Sequence, residues 1–463
     1  MQAEAPTSWK EESRANLGLA LPLMLGQLGQ MAMGLVDTAL VGRVSERDLA
    51  AVALGNTLVF LTFTPAFGLA GALEPVVAQA FGGRDPSSAR LALREGTRLA
   101  WILTPILMLL CYASTWLLPL FRVAPDVVPG ARGYVIARLP SLLPYLLFLT
   151  HKTYQQAASR PRAALEAVVV ANVAHFIFGY VAVFGDAGLL RLHLPALGIP
   201  RLGGTGAGLT TSVSAFLMAA WVLGPRGRPP EGAVDAEPST APVGSRDRAM
   251  QRKLLRLGLP IGLQLSAEVG IFSLVALLMG HLGGRAAAAH QVALSLAATS
   301  FMGAMGIAQA TSVRVGHWVG QGQRHAARRA GALGIALGLL IMSVSAVVFA
   351  LAPRALASVF TSEPPVLDAA VALVRIAAVF QLGDGAQVVA AGALRGAGDT
   401  RWPLLLNIVV HWCFALPVAC TFAFVLHRGP VGLWYGLSAG LLTIGAALVA
   451  RFFVLTRVEI RRV

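Results

Sequence analysis

The chain has 463 residues, 56% hydrophobic and only 13% charged, with a mean hydropathy of +0.68. A soluble domain carries about 25% charged residues, so this composition excludes a water-soluble globular protein and describes one that crosses a membrane many times. The net charge of +15 would suggest nucleic acid in a soluble protein. Here most basic residues sit in short loops between apolar runs, which points to topology and anionic lipid headgroups, with no nucleic-acid partner.

A helix needs about 20 apolar residues to cross the hydrocarbon core. Spans are predicted near 15–40, 50–79, 95–119, 134–157, 164–185, 205–224, 253–281, 288–318, 329–351, 368–394, 402–426 and 430–455. A polar stretch to Arg14 runs directly into the first span, so no cleavable signal is expected. Between spans 6 and 7, Pro225–Gln251 is rich in Pro, Gly, Glu and Ser and reads as a linker. The predicted division is an N-terminal six-helix bundle at 1–224, a cytoplasmic linker at 225–252 and a C-terminal six-helix bundle at 253–463.

The two bundles repeat each other. At an offset of 238, residues 19–98 lie over 257–336 without a gap. Pro22/Pro260, Gly42/Gly280, Gly68/Gly306, Gly82/Gly320 and Arg90/Arg328 coincide. The same register carries 140–185 over 378–423, so both halves run in the same direction. The fold class is therefore all-α, a polytopic membrane protein with 12 transmembrane helices in two pseudo-symmetric six-helix bundles. Duplicated bundles of this kind are common among secondary transporters.

Loop charges set the orientation. Lys10 and Arg14 precede span 1; Arg84, Arg90 and Arg94 follow span 2; Arg160 and Arg162 follow span 4. The linker holds Arg226, Arg228, Arg246, Arg248 and Arg252, and Arg324, Arg328, Arg329, Arg395, Arg401, Arg457, Arg461 and Arg462 continue the pattern. The positive-inside rule makes both termini and the linker cytoplasmic. Basic residues are nearly all Arg and Ala is abundant, a bias associated with bacteria; the expected location is the bacterial plasma (inner) membrane, with membrane lipids around a monomer. The three cysteines, Cys111, Cys413 and Cys420, lie in apolar runs and form no disulfide framework or zinc spacing.

Acids inside spans are functional candidates by default. Asp37 lies in span 1, Glu268 in span 7 and Asp384 in span 10, and no Lys or Arg lies deep in those spans to neutralise them. Glu74 sits near the cytoplasmic end of span 2 and is equally open to a structural reading. Low dielectric favours the neutral form of a carboxylate, which suits proton exchange; oxygen ligands nearby would let the same group hold sodium. Either way the acids form a cation-coupling site, and each could instead be satisfied by a neighbouring hydroxyl or amide.

The run Pro22…Gln27…Asp37-Thr38…Gly42…Asp48…Ala51 resembles the opening of the multidrug and toxic compound extrusion (MATE) family. Gly258…Pro260…Glu268 is similar to the start of that family's second half, Ala289-His290-Gln291 to its eighth-span entrance, and Gln387…Arg395-Gly396…Gly398-Asp399-Thr400…Pro403 to its tenth-to-eleventh junction. The resemblance covers essentially the whole chain. It implies two bundles around a central cleft that opens to either side alternately. It also implies antiport of cationic or amphipathic drugs, small organic cations or other xenobiotics, against Na+ or H+ as coupling ion. Asp37 matches the first-span aspartate of bacterial members, and Glu268 and Asp384 match the second-half acids of the NorM-like subgroup, with Na+ possible at that pair. The DinF-like subgroup pairs the first acid with an Asn and an Asp in span 5, where this chain has His175 and Gly179. That departure favours the NorM-like assignment. His175 could titrate near neutral pH or simply be a hydrogen-bonded packing residue.

Met33, Phe60, Phe63, Phe67, Met302, Met305 and His175 are candidates to line a substrate cavity, although such residues often face only lipid or neighbours. Gly203–Gly208 follows a helical span and lacks a Gly-Lys-Ser/Thr ending, so close helix approach explains it better than nucleotide binding. No Ser-His-Asp order, zinc motif or nucleotide cassette is present. The chain is expected not to be an enzyme and to need no cofactor. A lipid-linked saccharide flippase of the same superfamily is the closest alternative, although such proteins tend to have additional spans and a cationic cavity. Arg395–Pro403 should be a cytoplasmic turn, with Asp399 and Thr400 able to cap the next helix.

Overall fold

Runs of apolar residues in hydrocarbon must satisfy their own backbone groups, and the helix does so within one segment. A computed structural model of the chain, which describes residues 9–120, 123–225, 246–458, 460 and 462–463, is helical, with no strand among the described residues. Twelve described helices are long and apolar enough to cross a membrane. Spans 1 to 6 are Trp9–Val41, Glu46–Gly82, Pro86–Leu117, Val128–Ala157, Arg162–Phe184 and Gly203–Leu223. Spans 7 to 12 are Arg248–His281, Gly284–Gly320, Arg324–Leu351, Pro364–Gly396, Arg401–Val425 and Gly429–Leu455. Most of the predicted linker, residues 226–245, lies outside the described residues, as do Arg226, Arg228 and Arg461; from Arg248 onward the chain is already helical.

The repeat survives in the helix bounds. Spans 2 and 8 begin and end at the 238 offset, and spans 3 and 9 begin at it. Span 12 starts earlier than the offset from span 6 requires, because the first half carries an extra helix, Asp186–Arg191. Span 2 opens on a cap: Ser45 accepts the Asp48 backbone N–H at 3.0 Å and donates to the Asp48 carboxylate at 2.8 Å. Prolines break two spans. Pro65 sits in a 3₁₀ turn, Thr64–Ala66, within span 2, and Pro140 in a 3₁₀ turn, Leu139–Ser141, within span 4. Each removes a helical N–H donor.

Two compact units make up the chain. One comprises 1–27, 74–85 and 263–463; the other comprises 28–73 and 86–262. The early part of span 1 thus packs with second-half helices, and the early part of span 7 with first-half helices. The repeated glycines mark those crossings. In the second unit, a Cβ on Gly68 would run into the Gly258 and Gly262 backbone; in the first, a Cβ on its repeat partner Gly306 would run into Met24. Gly82 and Gly320 do the same for spans 2 and 8, against His317 and Gln79 backbone atoms within the first unit. Removing the side chain lets helix backbones touch, the usual means of close packing in membranes.

The early part of span 1 is fixed in the first unit by polar contacts as well. Arg314 donates to both Glu12 oxygens at 2.8 and 2.6 Å, and Trp318 Nε1 donates to Glu12 at 3.3 Å. The apolar core of that region joins Ala20 and Leu23 to Ile307, Val315, Leu394 and Phe452. In the second unit, Leu40, Val41, Val52, Tyr134, Val183, Phe184 and Ala207 form a core beside the later part of span 1.

Candidate functional site: buried carboxylates in the spans

Asp37 lies in the second unit and is only 7% exposed. His175 on span 5, 1% exposed, places Nε2 2.9 Å from Asp37 Oδ1, and Thr211 on span 6 donates to Oδ2 at 3.1 Å. On its other side, His175 Nδ1 is 2.9 Å from Ser214 Oγ, whose hydroxyl donates to the Thr210 carbonyl at 2.9 Å. When Ser214 keeps its proton on the Thr210 carbonyl, Nδ1 is the donor to Ser214. Nε2 can then meet Asp37 in two ways: as an acceptor from a protonated carboxyl, or as the second donor of an imidazolium to a carboxylate. Either form places one proton in the 2.9 Å contact between Asp37 and His175. No Lys or Arg lies deep in span 1, so the groups around Asp37 come from other spans. The partner comes from span 5, and Arg138 on span 4 also lies within electrostatic reach of Asp37.

Glu268 and Asp384 come together in the first unit. Glu268 Oε1 accepts from Gln387 Nε2 at 3.1 Å, and Oε2 from Asn407 Nδ2 at 3.4 Å. Asp384 is one turn from Gln387 on span 10, buried, and within the electrostatic field of Glu268. The amide oxygens of Gln387 and Asn407 are buried and have no hydrogen-bond partner. The amides thus turn their nitrogens toward Glu268, while carboxylate and amide oxygens are the donor types that share a proton or hold a hard cation.

Glu74 has a structural explanation. Its carboxylate lies 3.4 Å from Arg395 Nε, and five residues along span 2 Gln79 Nε2 donates to the Gly396 carbonyl at 2.9 Å. Span 10 ends at Gly396 and span 11 begins at Arg401, so the turn expected over Arg395–Pro403 is confined to 397–400, with Gly398 at φ +87. Asp399 alone supplies the cap, accepting from Trp402 N at 3.4 Å, while Thr400 makes no capping bond. Gly206 and Gly208 pack against Ala182 and Tyr134 backbone atoms, in keeping with close approach.

The cavity candidates divide. Phe60, Phe63 and Phe67 cluster, with Phe63–Phe67 centroids 5.4 Å apart and Phe60–Phe67 6.4 Å. Tyr145 joins them at 5.7 Å from Phe63. Met33 is buried in the same unit, His175 belongs to the Asp37 set, and Met302 and Met305 are half-buried in the other unit. Sequence reasoning missed Thr211, Ser214, Asn407, Tyr145 and Arg138. Asn407 was visible as a lone amide in an apolar run, and Arg138 as a charge inside span 4. The two hydroxyls carried no signal.

The MatE family model matches residues 22–181 and 260–421. The chain belongs to the MatE family. Its two matched blocks begin at Pro22 and Pro260, the repeat pair found in the sequence. Similar curated proteins include a probable multidrug resistance protein NorM of Deinococcus radiodurans, 38% identical and covering 98% of both chains. Another is the multidrug resistance protein MdtK of Yersinia pseudotuberculosis, 32% identical over 95% of each. Among solved structures, a MATE protein in the straight conformation superposes with a TM-score of 0.85 at 19% identity, over 96% of this chain and 97% of that one. The eukaryotic MATE transporter AtDTX14 superposes at 0.82 with 20% identity, over 96% of each chain. This MatE chain thus has the MATE fold and NorM-like relatives across nearly its full length.

Proposed function

We propose that this chain exports small cationic and amphipathic compounds, driven by inward movement of protons or sodium ions. The observation that carries the reading is the Asp37–His175 pair, two adjoining groups 2.9 Å apart, buried inside a membrane-spanning bundle and able to share a proton. The oxygen set of Glu268, Asp384, Gln387 and Asn407 supports a second cation locus in the other unit. Relatives named as multidrug resistance proteins support the cargo class.

Coupling requires that the ion bind one conformational state more tightly than the other. A proton on the Asp37–His175 pair meets that need, because its loss leaves two lone pairs facing each other and weakens the contact between spans 1 and 5. One elementary charge crossing 100 mV is worth about 2.3 kcal/mol, a roughly fifty-fold gradient. One coupled ion therefore suffices for useful efflux. The protein would work from the bacterial inner membrane with both termini in the cytoplasm. Asp37→Asn tests the reading in intact cells: the variant should insert and express normally yet fail to export ethidium, and undiminished efflux would overturn the role given to Asp37.

A further inference from the structure

We propose that Phe272 and Phe380, braced by Trp434 and His290, form an aromatic barrier over the Glu268–Asp384 locus on the side of the span 7–8 junction, leaving ions a single route to those acids. The proposal rests on the export reading and names what keeps its second cation locus from leaking.

Helical spacing puts the barrier beside the acids. Phe272 follows Glu268 by four residues on span 7, and Phe380 precedes Asp384 by four on span 10. Residues four apart share a helix face and lie about 6 Å apart along the axis. Span 7 leads to the junction at 282–283, whereas span 10 starts from the junction at 352–363, so the two spans run in opposite directions. Both rings are therefore displaced from their acids toward the same side, which the loop charges make the outer one. There they meet, with centroids 6.2 Å apart and planes at 68°, in edge contact.

Two further groups hold Phe380 in place. Trp434 on span 12 is fully buried, and its ring lies 5.4 Å from that of Phe380. Its Nε1 donates to His290 Nδ1 on span 8 at 3.2 Å. An indole N–H only donates, so Nδ1 accepts and the ring proton of His290 is on Nε2. Nε2 is buried without a partner, so the bond from Trp434 is the imidazole's anchorage among the described residues. His290 and Trp434 lie within two turns of the starts of spans 8 and 12. An aromatic row thus crosses the first unit from span 7 through spans 10 and 12 to span 8.

Polarity changes at the rings. On the acid side, span 10 carries Gln381, Asp384 and Gln387, buried and spaced three apart. Beyond Phe380 the buried positions are Ala377, Val374, Leu373 and Ala370, and beyond Phe272 they are Val275 and Met279. An ion entering there would give up its hydration and find no polar group to replace it. Glu268 itself is half-buried, so its open face is the route that remains. Coupling needs such a seal, because a second path would let the ion run down its gradient without cargo.

The test is ion leak in proteoliposomes of the full-length protein without ethidium, using internal pyranine for protons and a sodium-sensitive dye for sodium. Wild-type vesicles should leak no faster than protein-free ones. Phe272→Ala combined with Phe380→Ala should leak the coupling ion about tenfold faster or more, because the space left admits water. Adding Glu268→Gln should return the leak to the wild-type rate, since the path runs through the locus. Phe272→Leu with Phe380→Leu keeps apolar bulk and should stay tight. Where thermal melting shows that the alanine pair does not fold, His290→Leu is read in its place. It removes the acceptor for Trp434 and should leak, while His290→Gln, whose amide oxygen can still accept, should not. A folded alanine pair, or in its place a folded His290→Leu, with wild-type tightness overturns the proposal, as does a leak that Glu268→Gln leaves unchanged. Uphill ethidium transport by the wild type in the same vesicles separates this outcome from failure of the export reading.

Discussion

Replacing His175 with Ala removes one of the two side chains that hold Asp37. In the native arrangement Asp37 Oδ1 lies 2.9 Å from His175 Nε2 and Oδ2 accepts from Thr211 at 3.1 Å. After truncation, Oδ1 remains in a site where Asp37 is only 7% exposed, so water replaces the imidazole poorly. Leaving such a buried group without its partner costs about 1–3 kcal/mol. If that difference falls on the proton-loaded state, its population shifts by roughly 5- to 150-fold. The assay is ethidium efflux from proteoliposomes under an imposed proton gradient, with thermal melting to establish that the variant is folded. Efflux by His175→Ala should fall within that range. His175→Gln should fall less, because its amide can still donate to Oδ1 although it cannot carry the exchangeable proton. A folded His175→Ala protein with the wild-type rate refutes the reasoning, as does a wild type indifferent to the proton gradient.

If sodium drives transport, Glu268→Gln and Asp384→Asn should each reduce sodium-stimulated efflux at least tenfold, because each removes a charge from the oxygen set; an unchanged sodium response in both moves the ion to Asp37. Asp186 begins the segment between spans 5 and 6 and accepts backbone N–H groups from Ile199, Leu197 and Gly198, which hold its carboxyl below the usual range. A depressed folded value means the ionised acid stabilises this loop above the ordinary carboxylate pKa, and that support is lost as pH falls through the folded value. Amide exchange at 197–199 should therefore rise on strong acidification, and at neutral pH in Asp186→Ala; unchanged protection in that variant would contradict it. For orientation, a cysteine at Gly398 is unsuitable because its φ is +87 and a Cβ there would meet Val463, so Arg401→Cys, exposed at the start of span 11, is the better probe. It should react with a membrane-impermeant maleimide only after the cytoplasmic side is opened, and labelling of intact cells would reverse the topology.

The fold was legible because its signals are local or repeat exactly. Apolar runs fix the spans, and Pro22/Pro260, Gly68/Gly306 and Gly82/Gly320 announce the duplication. What those glycines do was not legible. Only the three-dimensional arrangement shows Gly68 against the span 7 backbone and Gly306 against Met24, each crossing joining helices from opposite sequence halves. Asp37, Glu268 and Asp384 stood out because charge is rare in hydrocarbon, yet their partners did not. His175 looked like a departure from a family pattern, but it lies beside Asp37 because spans 1, 5 and 6 pack so that sequence separations of 138 and 174 residues vanish. Thr211 and Ser214 sit in a Ser/Thr-containing apolar helix in which hydroxyls usually bond back to their own turn, so nothing local sets them apart. Arg138 shows in the sequence as a charge within span 4, but nothing local marks Asn56 and Tyr134 as its partners.

A cation gradient acting through the buried carboxylates should move a drug-like compound across the membrane. Its most direct test is ethidium movement against its own gradient in proteoliposomes, first under an imposed proton gradient and then under an imposed sodium gradient. The wild type should show uphill transport under at least one of them, and Asp37→Asn combined with Glu268→Gln should show none. Ethidium flux no greater than that of protein-free liposomes under both gradients would contradict it.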